Sequence, residues 1–213
     1  MKKTNIAVLV SGGGTNLQAL IDAQVRGELG GGEITAVISS KEGAYALQRA
    51  ANAGIPGYVI PRKSFESNQA MTVALVEKLK ELEIGLVVLA GCMVIFTEEL
   101  VQAYPNAIMN VHPALIPAFC GEGYYGLHVH ERALSYGVKL SGATVHFVTE
   151  ECDGGPIIAQ KSVAVRWDDT PETLQKRIME EAEWKLLPEA VRLFCQGRLK
   201  VEGRTVIIEE DTI

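Results

Sequence analysis

Short apolar runs alternate with amphipathic stretches through the first half of the chain. The runs are continuous and rich in β-branched residues, which is typical of strands buried on both faces of a sheet. The stretches between them repeat apolar residues three and four positions apart, as one face of a helix does. The pattern predicts strands at Ile6–Val10, Ile34–Ile38, Tyr58–Ile60, Leu86–Ala90 and Ala107–Val111, separated by helices at Asn16–Val25, Tyr45–Ala53, Asn68–Leu82 and Thr97–Ala103.

The second half follows a different pattern. Apolar residues alternate in Ala143–Val148, and a tight turn at Asp153–Pro156 leads into a second strand at Ile157–Val165. Two strands joined by a glycine-rich turn are usually antiparallel neighbours. We therefore expect an α/β fold with a doubly wound, mostly parallel, Rossmann-like sheet and antiparallel strands in its C-terminal part. Because no repeat or linker interrupts the pattern, residues 1–213 are expected to form a single domain.

Two further helices are predicted in this half. A short one lies near Glu131–Tyr136, and a long one begins at Pro171 after the cap residue Thr170. The long helix is expected to reach Phe194, with a break or kink at Pro188, and to be followed by a polar tail.

Composition narrows the class of protein. Of the 213 residues, 47% are hydrophobic, which is enough for a large core. Asp and Glu number 26 against 20 Lys and Arg, and the resulting charge of −6 without a basic run argues against a nucleic-acid partner. No segment resembles a signal peptide or reaches membrane length, so no membrane partner and a cytoplasmic location are expected. The four cysteines are widely spaced and are expected to be free thiols.

Ligands of a doubly wound sheet bind at the carboxyl ends of the strands, which selects the loops Ser11–Asn16, Gly91–Phe96 and Asn110–Tyr125. The first has three consecutive glycines before a helix N-terminus, so its backbone could approach a phosphate closely. It lacks the Gly-Lys-Ser/Thr of an ATP loop and the third glycine of a dinucleotide loop. The alternative is a structural turn in which Thr15 or Asn16 only caps the helix.

Polar residues with catalytic chemistry end the fifth strand. Alternation places Asn110 and His112 on one side of it. An Asn amide can stabilise an oxyanion, and a His can move a proton near neutral pH. If the later turn faces this strand, Asp153 would orient His112 and favour its charged form. The alternatives are a core histidine, a loop asparagine and an ordinary Asp-Gly turn.

Three other histidines have less to distinguish them. His146 lies on the polar face of its strand and is a further candidate for the same cleft. His128 and His130 could be half of a metal site, but no nearby ligands complete it, so a place at the start of a helix is the preferred interpretation.

Five segments together resemble the folate-dependent formyltransferases. They are Val10–Leu20, Leu89–Met93, Asn110–Pro117, Gly142–Val148 and Asp153–Ile157. An Asn-x-His-Pro motif followed by Asp-Gly-Gly-Pro is specific to this superfamily, and the glycine loop in a short chain points to its glycinamide branch. The resemblance implies transfer of the formyl group of 10-formyltetrahydrofolate, as co-substrate, to the amine of glycinamide ribonucleotide in purine biosynthesis.

The resemblance also implies roles for individual residues. Asn110 would hold the formyl oxygen, and His112 would act as general acid–base or stabilise the oxyanion. Asp153 would hold His112 or a proton-carrying water. No metal would be required, and the protein would be a monomer or a weak homodimer.

Substrate contacts follow from the same resemblance. The phosphate would bind at Gly14, Thr15 and Asn16, while Glu183 would hold the ribose or glycinamide part. The folate would contact Asn110 and two segments, largely through backbone groups. These segments are Met93, Val94, Ile95 and Phe96, and Thr149, Glu150, Glu151, Cys152 and Asp153.

The sequence departs from the family pattern at a few positions. Val94 and Asn68 stand where relatives often have arginines, which leaves the preference for folate polyglutamates open. The loop after Pro117 is longer than in shorter relatives, and its glycines with Tyr124 and Tyr125 predict a lid, the alternative being a static surface loop. The competing functions are formyltetrahydrofolate hydrolysis, formylation of a tRNA, and nucleotide binding without catalysis.

Overall fold

The computed structural model describes residues 3–210. Within this range nine strands belong to one sheet. They are β1 (Thr4–Val10), β2 (Gly32–Ser39), β3 (Gly57–Val59), β4 (Leu86–Leu89), β5 (Ile108–His112), β6 (Leu140–Phe147), β7 (Ile157–Ala164), β8 (Leu199–Glu202) and β9 (Thr205–Ile208). Their order across the sheet is β3-β2-β1-β4-β5-β6-β7-β9-β8.

Helices connect most of the strands. They are α1 (Thr15–Val25), α2 (Tyr45–Asn52), α3 (Asn68–Glu81), α4 (Glu98–Ala103), α5 (Leu127–Tyr136), α6 (Pro171–Ile178) and α7 (Trp184–Cys195). A short 3-10 turn covers Arg62–Ser64, and a π-helical turn at Met179–Glu183 joins α6 to α7.

The sheet changes direction at β5. Strands β3, β2, β1, β4 and β5 are parallel to one another, whereas β6 is antiparallel to both β5 and β7. This confirms the predicted α/β class with a mostly parallel sheet and antiparallel C-terminal strands. The antiparallel register pairs Asn110 of β5 with His146 of β6, which brings two distant polar segments together.

Alternate residues of β1 point into two separate apolar layers. Ile6, Val8 and Val10 belong to a cluster with α1, α2 and α7, while Ala7 and Leu9 belong to a cluster with α3 and α4. Since successive strand residues face opposite sides, helices cover both faces of the sheet. Across residues 3–210, no helix is long and apolar enough to cross a membrane.

The C-terminal part differs from the sequence-based expectation in three places. The predicted polar tail contains the hairpin β8–β9, whose Leu199, Val201 and Val206 pack on the core. Their alternation is short and only half-buried, which gives a weak pattern. Helix α5 begins at Leu127, four positions earlier than expected. Pro188 lies inside α7 and has no backbone N–H to donate to the Trp184 carbonyl four residues earlier. The main irregularity of the helix is the π-helical turn that ends just before Trp184.

Candidate active site

A cleft of about 1050 Å³ lies at the carboxyl ends of β4 and β5. Its walls come from the segment after β4, from the segment after β5, and from the turn between β6 and β7. The sequence-predicted folate residues all line it, namely Met93, Val94, Ile95, Phe96, Asn110, Thr149, Glu150, Glu151, Cys152 and Asp153. A cavity of this size with mixed apolar and polar walls is suited to a ligand of drug-like size.

Asn110 contacts two other polar side chains in this cleft. The antiparallel register of β5 and β6 pairs Asn110 with His146. The Asn110 Nδ2 atom is 3.2 Å from His146 Nε2 and 3.4 Å from Asp153 Oδ1. His146 Nδ1 is 2.9 Å from the Phe147 carbonyl, so Nδ1 carries the proton and Nε2 accepts from Asn110. His146 thereby orients the amide that the sequence nominated for catalysis.

The two ring nitrogens of His112 face a backbone carbonyl and a carboxylate. Its Nε2 atom donates to the Phe119 carbonyl at 2.8 Å, because a carbonyl oxygen can only accept. Its Nδ1 atom is 3.5 Å from Asp153 Oδ2. Burial lowers the pKa of His112 by more than the charge of Asp153 and the bond to Phe119 raise it. The imidazole is therefore neutral near pH 7, with the lone pair of Nδ1 facing the carboxylate.

Asp153 keeps its negative charge although its side chain is only 10% exposed. Burial by itself would raise its pKa, but the neighbouring imidazoles of His146 and His112 and the Gly121 N–H outweigh burial, so the pKa lies below its usual value. The Gly121 N–H donates to Oδ2 at 2.9 Å. The structure thus brings together Asn110, His112 and Asp153, which the sequence nominated from two distant motifs.

The glycine loop forms a second polar group, separate from the residues that line the cleft. Gly14 has a φ of +72° and precedes α1, which begins at Thr15. Asn16 Nδ2 donates to Glu183 Oε2 at 2.7 Å across 167 residues of sequence. The π-helical turn places Glu183 there, and burial raises its pKa to about 7, against the lowering effect of Asn16. Thr15 Oγ1 donates to Met179 Sδ of the same turn at 3.6 Å.

Sequence reasoning missed a cation beside this loop. Arg49 of α2 donates from Nε to the Gly13 carbonyl at 2.9 Å and from Nη1 to Gln18 at 2.9 Å. Its guanidinium lies 5.0 Å from the centre of the Tyr45 ring. No local motif marks Arg49, since its place depends on how α2 packs against the loop after β1. The Phe119 carbonyl and the Gly121 N–H were also missed, because backbone groups leave no trace in residue identity.

The remaining histidines lie on α5. His128 is exposed and its Nδ1 is 2.9 Å from Glu131 of the same helix. His130 is fully buried, and burial, together with the nearby His112 imidazole, lowers its pKa to about 4. Both residues lie in the first turns of the helix, as the sequence indicated. Within residues 3–210, no group of three or more His, Cys, Asp or Glu residues could hold a metal ion.

Known proteins of one kind are similar to this chain. The family model described as formyl transferase matches residues 4–191. The phosphoribosylglycinamide formyltransferase of Haemophilus influenzae is 41% identical over 209 residues, which cover 98% of this chain and 94% of that protein. The crystal structure of glycinamide ribonucleotide transformylase 1 from Symbiobacterium toebii superposes with a TM-score of 0.92 at 44% identity, covering 98% of this chain and 95% of that one.

A related enzyme with a different reaction is more distant. A formyltetrahydrofolate deformylase from Pseudomonas syringae pv. tomato superposes with a TM-score of 0.86 at 27% identity, and the match covers 98% of this chain but 67% of that one. The family match covers residues 4–191, which include the strands from β1 to β7 and every residue that lines the cleft. The chain therefore belongs to the formyl transferase family.

Proposed function

We propose that this enzyme is a phosphoribosylglycinamide formyltransferase, which transfers the formyl group of 10-formyltetrahydrofolate to the amine of glycinamide ribonucleotide in purine biosynthesis. The observation that carries the proposal is the match with relatives of that activity over nearly the whole of both chains, at 41% and 44% identity. The deformylase match is weaker in identity and leaves a third of that chain uncovered.

The folate binds in the cleft that the formyl transferase residues line. Its aromatic part lies against Val94, Phe96 and Val148, and backbone groups of Met93–Phe96 and Thr149–Asp153 read its polar edge. This places the reactive nitrogen of the folate toward Asn110. The support is the volume of the cleft, about 1050 Å³, and its mixed walls.

Asn110, His112 and Asp153 carry out the chemistry. The Asn110 amide, oriented by His146, exchanges its long contact with Asp153 for a hydrogen bond to the formyl oxygen as negative charge develops on that oxygen. The attacking amine must lose a proton, and His112 Nδ1 is the basic atom that accepts it, directly or through a water. Once protonated, Nδ1 gains an ion pair with Asp153, which lies 3.5 Å away and is already anionic. The same proton then goes to the folate nitrogen as the carbon–nitrogen bond of the donor breaks.

The ribonucleotide binds at the glycine loop. Its phosphate meets the N-terminus of α1 at Gly14, Thr15 and Asn16, with the charge of Arg49 alongside. Glu183 receives the ribose or glycinamide part. A carboxyl with a pKa of about 7 becomes a full anion when a cationic or strongly donating group arrives, so binding itself recruits its charge.

The overall organisation is proposed on the same basis. Residues 1–213 form one formyltransferase domain, active as a monomer or a weak homodimer, with no nucleic-acid or membrane partner. We place the enzyme in the cytoplasm, which is supported by the four free thiols Cys92, Cys120, Cys152 and Cys195.

Formyl transfer measured by mass spectrometry tests the proposal. Purified enzyme is incubated with 10-formyltetrahydrofolate and glycinamide ribonucleotide, and the expected product is the ribonucleotide heavier by one formyl group. Release of formate at the same rate without the ribonucleotide would instead indicate a deformylase. Formylation of a methionyl-tRNA in preference to the ribonucleotide would indicate the third activity, and no turnover of the folate would contradict all three.

A further inference from the structure

Ser11 links three strand ends through one oxygen atom. It follows β1 and its side chain is almost fully buried, at 5% exposure. Its Oγ accepts a hydrogen bond from the Met93 N–H, after β4, at 2.9 Å across 82 residues of sequence. The same Oγ is 2.7 Å from Ser40 Oγ, after β2. A serine hydroxyl has one donor and two acceptor positions, so both bonds form together.

The segment that Ser11 holds has little other support. Residues 93–96 lie outside helices and strands, and Met93 and Ile95 are 57% and 67% exposed. No sheet ladder fixes the backbone of this segment. Phe96 packs on the apolar layer at its far end, and the Thr97 N–H then donates to Thr72 Oγ1 at 3.3 Å. The near end is held by the bond from Met93 to Ser11 and by a hydrogen bond between the Val94 backbone and the Cys92 thiol.

We infer that Ser11 is a positioning residue for the folate, because its hydroxyl fixes the backbone of Met93–Phe96 in the conformation that reads the pterin. The inference rests on the proposed function, since it assumes that this segment contacts the folate. Ser11 is also the first residue of the glycine loop, but its hydroxyl bonds to Met93 and Ser40 rather than to the phosphate-binding residues Gly14–Asn16. A change at its hydroxyl should therefore affect the folate and spare the ribonucleotide.

The chain offers a matched set of variants. Ser11→Ala removes the acceptor of the Met93 N–H, whereas Ser40→Ala removes the neighbouring hydroxyl and leaves that acceptor in place. Ser11→Thr keeps a hydroxyl on the same carbon and serves as the rescue. The binding probe is 5-formyltetrahydrofolate, a stable folate, measured by calorimetry. The contact itself is measured by hydrogen exchange of the Met93 amide.

The expected results separate positioning from general damage. Loss of a partly buried hydrogen bond predicts an approximately tenfold weaker affinity for the folate in Ser11→Ala and faster exchange at Met93. The KM for the folate rises by a similar factor, while kcat and the KM for the ribonucleotide change by less than about twofold, because the phosphate contacts keep their backbone. Ser40→Ala binds the folate like the wild type, and Ser11→Thr recovers most of the lost affinity.

Four outcomes would overturn the inference. Wild-type folate affinity in Ser11→Ala, or unchanged exchange at Met93, would show that the hydroxyl does not hold the segment. Equal losses for folate and ribonucleotide would indicate general damage to the glycine loop. A wild-type protein that binds no folate would overturn the proposed function together with this inference, whereas a wild type that binds folate and an unaffected Ser11→Ala variant would overturn this inference alone.

Discussion

Asp153 and Glu183 both have little contact with water, yet the pKa values of their carboxyl groups are shifted in opposite directions. The side chain of Asp153 is 10% exposed and Glu183 is 6% exposed. Asp153 accepts hydrogen bonds from Gly121 and Asn110, lies beside two imidazoles, and has a lowered pKa. Glu183 has Asn16 as its described donor and a pKa raised to about 7. Burial raises the pKa of both groups, and only Asp153 has enough donors and charges around it to outweigh that effect.

The difference matches the two tasks proposed for the regions. A proton acceptor such as His112 needs a partner that is charged before the reaction begins, and Asp153 is such a partner. A residue that grips a substrate can gain its charge on binding, as Glu183 can. Changes to the two carboxyl groups should therefore separate the proton-transfer step from binding and stability.

Removing the charge of Asp153 should have the largest effect. Asp153→Asn keeps the size of the side chain but cannot stabilise a protonated His112, so kcat should fall by about 10²- to 10⁴-fold. His112→Ala should cost a similar factor. Steady-state kinetics with a thermal melt of each variant measure this. His128→Ala, at an exposed histidine paired with Glu131, should retain normal turnover. Near-wild-type turnover in either variant of the cluster would remove that residue from the mechanism.

Much of this cluster, but not all of it, was available from the sequence. Continuous apolar runs predicted the parallel strands, and the polar residues after them predicted which loops matter. His146 could be placed opposite Asn110 only once the register of β5 and β6 was known. The Phe119 carbonyl and the Gly121 N–H belong to the backbone and depend on the path of a loop.

The second polar group shows a different limit of sequence reasoning. Glu183 came only from the resemblance to the formyltransferases, because nothing in a charged helical stretch distinguishes one glutamate from its neighbours. The π-helical turn that directs it inward has no reliable local signal, and the sequence indicated only a break or kink at Pro188, which lies inside the continuous helix α7.

Glu183 should make stability fall with rising pH. Its pKa is about 4.5 in the unfolded chain and about 7 in the folded one, so its protonated form is favoured by folding. Its contribution is fully present below pH 4.5 and is lost as the pH rises through 7. Between pH 5 and pH 8 the wild type should lose about 2–3 kcal/mol of unfolding free energy relative to Glu183→Gln.

The informative quantity is the difference between the two proteins. The buried imidazoles of His112 and His130 have lowered pKa values and change stability in the opposite direction, but they do so in both proteins. Urea denaturation at the two pH values gives the difference. For Glu66→Gln, at an exposed position, the change in this difference between pH 5 and pH 8 should be near zero. A difference between wild type and Glu183→Gln that is independent of pH would contradict the raised pKa.

A side chain at Gly14 should separate the two substrates. Gly14 has a φ of +72°, and a Cβ there would lie 2.6 Å from the Cβ of Ala46, so Gly14→Val must displace the loop. Strain of about 1–3 kcal/mol predicts ribonucleotide binding weaker by roughly tenfold or more. Folate binding should be nearly unchanged. Gly12→Ala is the matched control, since nothing lies within 4 Å of its Cβ. Equal losses for both ligands in calorimetry would count against the phosphate assignment.

The loop Cys120–Gly126 connects the catalytic cluster to solvent. The Gly121 N–H donates a hydrogen bond to Asp153. Gly121 and Gly123 have φ values of +90° and +87°, and a Cβ atom added at either position would have no other atom within 4 Å. Tyr124 is 6.5 Å from the Phe119 ring, centre to centre, and Tyr125 is 5.5 Å from that of His128. The loop is thus tied to the cluster at one end and loosely packed elsewhere, which suits a lid.

The smallest expected effect is the response of this loop to ligands. If it closes over the cleft, its amide hydrogens should exchange several-fold more slowly when folate and ribonucleotide are both bound than when either is bound alone. Replacing Tyr124 and Tyr125 together by Ala should admit water and raise hydrolysis of the formyl donor by a few-fold, with a smaller change in transfer. Trp167→Ala, at a side chain that is 97% exposed and does not line the cleft, is the control for loss of an aromatic ring. Unchanged exchange together with unchanged hydrolysis would show that the loop is a static part of the surface, and the cluster around Asp153 would then have to exclude water without it.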